Sequence, residues 1–177
     1  KKVTLTKDTM IPAAAFKNFV ALEEVVLVNE FTSIEDHAFQ NCIKLETVKL
    51  ASDENKGVIL PASVQTVKEA AFSGCSSLVK VIFNEGVTEV AEDLFKACAS
   101  LVDVTLSDTI TTINSGAFNG CSNLKTLKIG KNLETIASDV FTATSLFESL
   151  EIDSENPNYV FKDHALLSKD ETILHTY

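Results

Sequence analysis

The sequence predicts an α/β fold: one right-handed solenoid of about six 23-residue coils, with a parallel β-sheet on one face and short helices on the other. Three observations carry this prediction. Phe recurs at Phe16, Phe39, Phe72, Phe95, Phe118 and Phe141, with separations of 23, 33, 23, 23 and 23 residues. Apolar residues recur at the same offsets around each of these Phe residues. Each coil then closes on a two-residue apolar alternation, the period of a strand with one side buried.

The elements follow in chain order. Three residues after the Phe stands Phe19, Cys42, Cys75, Cys98, Cys121 or Thr144. Six after it stands Leu22, Leu45, Leu78, Leu101, Leu124 or Phe147. The closing pairs are Val25/Leu27, Val48/Leu50, Val81/Phe83, Val104/Leu106, Leu127/Ile129 and Leu150/Ile152. These predict short strands with their apolar side inward. Ahead of the Phe lie Phe31/Ile34, Val64/Val67, Val87/Val90, Ile110/Ile113 and Leu133/Ile136. From here to the Phe the spacing is roughly helical and predicts a short helix or helical turns. One such coil cannot bury its apolar face alone, so coils stack about 4.8 Å apart and equal slots become columns. The repeats run over about 11–152, inside one domain of 1–177.

The blocks Ala38-Phe39-Gln40-Asn41-Cys42, Ala71-Phe72-Ser73-Gly74-Cys75 and Ala117-Phe118-Asn119-Gly120-Cys121, with the runs Cys75–Leu78 and Cys121–Leu124, resemble the BspA-like (Treponema pallidum-type) leucine-rich repeat family. A coil near 23 residues lies inside the leucine-rich repeat range of about 20–29. The resemblance implies a module of a bacterial cell-surface or secreted protein that binds a protein ligand, of host or matrix origin.

Two segments depart from the pattern. Between Phe39 and Phe72 the interval is ten residues too long, which places an insertion within 51–63. Asp53, Glu54, Asn55 and Gly57 are turn formers, so the insertion reads as a surface loop or hairpin after the second strand. Either Leu50 or Leu60 then precedes Val64. Insertions of this kind also carry binding function in some arrays. The end, 153–177, breaks register. Asn156-Pro157-Asn158 marks a turn, and Tyr159–Phe161, Ala165–Leu167 and Thr172–Leu174 read as short strands. That end is either a cap on the array or a segment between repeats, as the resemblance implies.

The chemistry points away from catalysis. The four Cys share one slot with Phe19 and Thr144, which is the behaviour of a small buried side chain and predicts free thiols rather than a disulfide framework. No two Cys lie closer than 23 residues, so no local zinc pair exists. His37, His164 and His175 share no slot. The acidic pairs Glu35/Asp36 and Glu92/Asp93 recur just before the Phe, as a solvated helix start would. No metal, cofactor or catalytic residue is expected. A net charge of −10 argues against nucleic acid as a partner. No run of about 20 apolar residues spans a bilayer. Lys1 and Lys2 lead into an alternating polar stretch rather than the apolar run of a signal peptide.

The candidate binding surface is the outward side of the strands: Glu24, Val26, Thr47, Lys49, Lys80, Ile82, Asp103, Thr105, Thr126, Lys128, Ser149 and Glu151. Three acids and three bases balance there on an acidic chain, with Val26 and Ile82 expected to be exposed. Solenoids bind through such extended sheets. The expected function is a non-catalytic protein-binding or adhesion module, monomeric or weakly associated end to end. A structural spacer within a larger surface repeat protein is the alternative, and an enzyme with a site assembled across repeats is a distant third.

Overall fold

The computed structural model describes residues 1–6, 9–28, 31–144, 149–162, 165–170 and 173–176. Six short strands at the predicted alternations and two unpredicted ones, β1 (Lys2–Leu5) and β6 (Val58–Leu60), build a parallel sheet of eight; the six are β3 (Glu24–Leu27), β5 (Thr47–Leu50), β8 (Lys80–Phe83), β10 (Asp103–Thr105), β12 (Thr126–Ile129) and β14 (Ser149–Ile152). Equal slots sit opposite one another: Val104 faces Val81 on one side and Leu127 on the other. The chain is a right-handed solenoid of about six turns.

A second row of two-residue strands lies ahead of each Phe. It forms one sheet of β2 (Met10–Ile11), β4 (Ser33–Ile34) and β7 (Thr66–Val67), and a separate one of β9 (Glu89–Val90), β11 (Thr112–Ile113) and β13 (Thr135–Ile136).

The expected short helices are not there: among the described residues the Phe segments are turns. The backbone shows why. In the first five turns the residues two before and two after the Phe take positive φ, as at Ala70 (51°) and Gly74 (75°) around Phe72, and Asp93 (52°) and Ala97 (58°) around Phe95. A helix cannot absorb left-handed residues at every fourth position. Amides therefore alternate. Ala70, Phe72 and Gly74 donate to the carbonyls of Glu92, Leu94 and Lys96 on the next coil. Ala71, Ser73 and Cys75 between them donate within their own turn, to Lys68, Ala70 and Phe72. The turn is thus a one-way ladder between coils, and the 3.6-residue spacing of its side chains misled the helix expectation. Asp93 correspondingly sits inside a turn, where its carboxylate meets Lys96 at 2.7 Å, rather than at a helix start.

The columns form as expected. Rings stack from Phe16 through Phe39, Phe72, Phe95 and Phe118 to Phe141, with centroids 5.2 to 6.0 Å apart and planes within 14°. Phe83 meets Phe95 edge-on at 6.0 Å. The Leu column from Leu22 to Leu124 is fully buried. Its sixth slot, Phe147, lies outside the described residues. Burial of these columns is the main driving force for stacking.

The insertion is not a hairpin. Residues 51–57 carry the chain back past the length of β5, and β6 then enters the sheet parallel to β5 and β8, with Val58 opposite Val48 on one side and Val81 on the other. Leu60, fully buried, takes the slot before Val64, while Leu50 is half-buried. At the other end the three predicted strands exist as β15 (Tyr159–Lys162), β16 (Ala165–Ser168) and β17 (Ile173–Thr176), in an antiparallel sheet. Asn156 anchors this segment to the array: its Nδ2 donates to the carbonyls of Gly130 and Leu133, at 3.1 and 3.3 Å. Tyr159 Oη donates to Glu134 O at 2.9 Å.

Candidate functional site

Parallel register sorts the outward side chains of the sheet into two rows across the strands. One row runs Lys2, Glu24, Thr47, then Lys80, Asp103, Thr126 and Ser149. The other runs Thr4, Val26, Lys49, then Ile59, Ile82, Thr105, Lys128 and Glu151. All twelve predicted residues therefore lie on one surface, but two of them are closed off. Val26 is 6 % exposed and Thr47 5 %, so the expectation of an exposed Val26 fails. The loop 51–57 meets Thr47: Gly57 N–H donates to Thr47 Oγ1 at 3.5 Å, and Glu54 and Lys56 line a cavity of about 270 Å³ together with Glu24, Thr47 and Lys49.

Charge on this face is matched between neighbouring coils. Lys80 Nζ lies 3.1 Å from Asp103, Lys128 Nζ 2.9 Å from Glu151, and Lys2 Nζ 3.2 Å from Glu24. The hydrogen bond from Lys128 holds the Glu151 carboxyl below its ordinary range and raises the Lys128 ammonium in turn. Such exposed pairs add about 0–1 kcal/mol each, so they tune the surface more than they hold the fold. Lys49 makes no ion pair among the described residues.

One member of the face escaped sequence reading. Ile59 lies in the outward row beside Ile82 but is 7 % exposed and closed off like Val26, so Ile82 is the part-exposed apolar residue between the paired charges. The alternation Val58-Ile59-Leu60 behind Gly57 is the signal for it, hidden by the reading of 51–63 as loop.

The remaining candidates do other work. Each Cys is buried and free, and donates its S–H to the carbonyl of the Phe one coil earlier: Cys42 to Phe16, Cys75 to Phe39, Cys98 to Phe72 and Cys121 to Phe95, at 3.0 to 3.3 Å. Burial pushes the Cys42 thiol up to about 11 and Cys121 up to about 12, and raises Cys75 and Cys98 as well. A nucleophile needs the opposite shift. His37 occupies a left-handed turn position at φ 57°, with Nδ1 buried and unbonded among the described residues. His164 lies outside the described residues, as does the side chain of His175. Among the described residues no three His, Cys, Asp or Glu side chains are grouped to hold a metal ion, and no helix is long and apolar enough to cross a membrane.

A family model for the BspA-type leucine-rich repeat region matches six copies, over residues 9–56 and 52–167. The chain belongs to the BspA-type leucine-rich repeat family. Solved structures agree on the fold. The Treponema pallidum leucine-rich repeat protein is 23% identical, with a TM-score of 0.63 over 88% of this chain and 77% of that one. A leucine-rich cell-surface protein of Faecalibacterium prausnitzii is 26% identical, with a TM-score of 0.67 over 97% of this chain and 52% of that one. The pneumococcal vaccine antigen PcpA is 18% identical, with a TM-score of 0.76 over 96% of this chain and 44% of that one. The chain thus spans about half the length of the latter two. No curated protein matches the chain.

Proposed function

We propose that this BspA-type array is a non-catalytic protein-binding module displayed at a bacterial cell surface or secreted, and that it binds through the outer side of its eight-stranded sheet. The observation that carries this is the face itself. Its side chains are held in two registered rows, its charges are paired across coils, and the part-exposed Ile82 lies between them. An ordered surface of this kind binds without a large entropic penalty. The contact residues we assign are Lys80, Ile82, Asp103, Thr105, Thr126 and Lys128, with Glu24, Lys49, Ser149 and Glu151 at the margins. Val26 and Thr47 support the surface from beneath. Similarity to a cell-surface protein of Faecalibacterium prausnitzii supports the location.

The test is surface plasmon resonance of the protein over a panel of immobilised host and matrix proteins. Binding to a member of the panel should be abolished by Lys80→Glu, Ile82→Glu and Lys128→Glu together. Unchanged binding by that variant removes the sheet face. A spacer role is favoured by one observation, that similar proteins are longer chains of which this one spans about half. Absence of binding across the panel supports the spacer.

A further inference from the structure

Beside the two-residue strands, neighbouring coils are joined by a regular pair of main-chain hydrogen bonds. At the first joint Thr32 N–H donates to Thr9 O and Glu35 N–H to Ile11 O. At the second, Gln65 and Lys68 donate to Thr32 and Ile34. At the fourth, Thr111 and Asn114 donate to Thr88 and Val90; at the fifth, Glu134 and Ala137 donate to Thr111 and Ile113. The third joint lacks both bonds. Register would pair Thr88 N–H with Gln65 O and Ala91 N–H with Val67 O, and neither bond forms. The row therefore splits between β7 and β9.

The split is confined to this row. On the major sheet β6 and β8 remain paired. In the Phe turns Ala70, Phe72 and Gly74 still donate across the same joint. What results is a seam with two main-chain acceptors on one lip and two donors on the other. It opens into a cavity of about 430 Å³ floored by Val67 and Ala91. Unsatisfied strand edges are templates for another extended backbone. The lining also has a sign. Asp36, Glu69, Glu89 and Glu92 face it against one ammonium, Lys68, which Glu35 already engages.

We propose that this seam is a docking site for an extended, cationic segment of a protein partner. The segment's amides donate to Gln65 O and Val67 O, its carbonyls accept from Thr88 and Ala91, and its basic side chains meet the surrounding carboxylates. Each lip supplies what a peptide backbone lacks, and the acidic rim selects the sign of its side chains. This site lies on a different row from the sheet face and stands or falls without it.

The test is titration of the ¹⁵N-labelled protein with a short capped peptide of alternating threonine and lysine. The amide resonances of Thr88 and Ala91 should move, while those of Glu134 and Ala137, at the fifth joint, stay in place. Glu69→Lys with Glu92→Lys, both at exposed positions, should weaken binding about tenfold, whereas Lys80→Glu with Lys128→Glu should leave it no weaker. A peptide of the same charge with N-methylated backbone amides should also bind more weakly. That arm uses the unaltered protein, so misfolding of a variant cannot mimic it. Equal binding of the N-methylated peptide, no movement at Thr88 and Ala91, or equal binding of a glutamate version overturns the proposal.

Discussion

The Phe turns and the major sheet meet the same ten extra residues in opposite ways. The ring column crosses the long interval unchanged: Phe39 and Phe72 stack at 5.2 Å, as close as any neighbours in the array. The sheet instead takes in an additional strand, β6, which has no Phe turn of its own. The difference is physical. A Phe column is set by shape, and three amides per joint must also find their carbonyls. A parallel sheet asks only for extended backbone in register, so an extra strand costs it little. The two-residue strands have neither a bulky column nor length, and their row is the one that splits. Register in this solenoid is therefore kept by the turns.

That contrast can be broken most forcefully at the column. Phe95→Ala removes a buried ring in contact with Phe72, Phe83 and Phe118, and should lower stability by about 3–5 kcal/mol, measured by urea unfolding. Phe16→Ala, at the end of the stack and half-exposed, should cost clearly less. Equal costs would show that stacking position does not matter.

A smaller effect belongs to the turn backbone. Gly74 has φ 75°, and a Cβ there would press against Asn41 Oδ1. Gly74→Ala should cost about 1–3 kcal/mol by the same unfolding measurement, while leaving the sheet intact. A neutral result would mean that the left-handed positions are adaptable and do not exclude a helix.

The thiol column gives a gentler, pH-dependent comparison. The folded Cys42 and Cys121 thiols stand at about 11 and 12 against an ordinary value of 9.0. Above pH 9.0 the unfolded chain loses protons that the folded chain retains, so it binds fewer protons and stability falls as pH rises. The contribution is complete below pH 9.0 and is lost on rising through the folded values. Cys42→Ser with Cys121→Ser should flatten that alkaline slope in thermal melts taken from pH 8 to 11. An unchanged slope would assign it to other groups.

Much of this was legible because side chains repeat. The Phe, Cys and Leu columns, the inward strand positions and the strands of 153–177 all follow from residue letters. What escaped was written in the backbone. Ala70, Asp93 and Ala97 carry no letter that announces a positive φ, so turns with helical side-chain spacing passed for helices. The seam between β7 and β9 is an absence of main-chain bonds, between coils whose sequences look regular. On the sheet face the outward rows were readable by alternation. The burial of Val26 and Thr47 was not, and neither was the addition of Ile59, which depends on where residues 51–57 go once they leave Leu50.

Residue-resolved hydrogen exchange tests most directly the claim that turns hold the coils in register while the two-residue row breaks at one joint. The amides of Phe72 and Phe95, and those of Thr111 and Asn114, should be strongly protected, with Thr88 and Ala91 exchanging far faster than Thr111 and Asn114. Protection of Thr88 and Ala91 equal to that of Thr111 and Asn114, or unprotected Phe72 and Phe95, would contradict it.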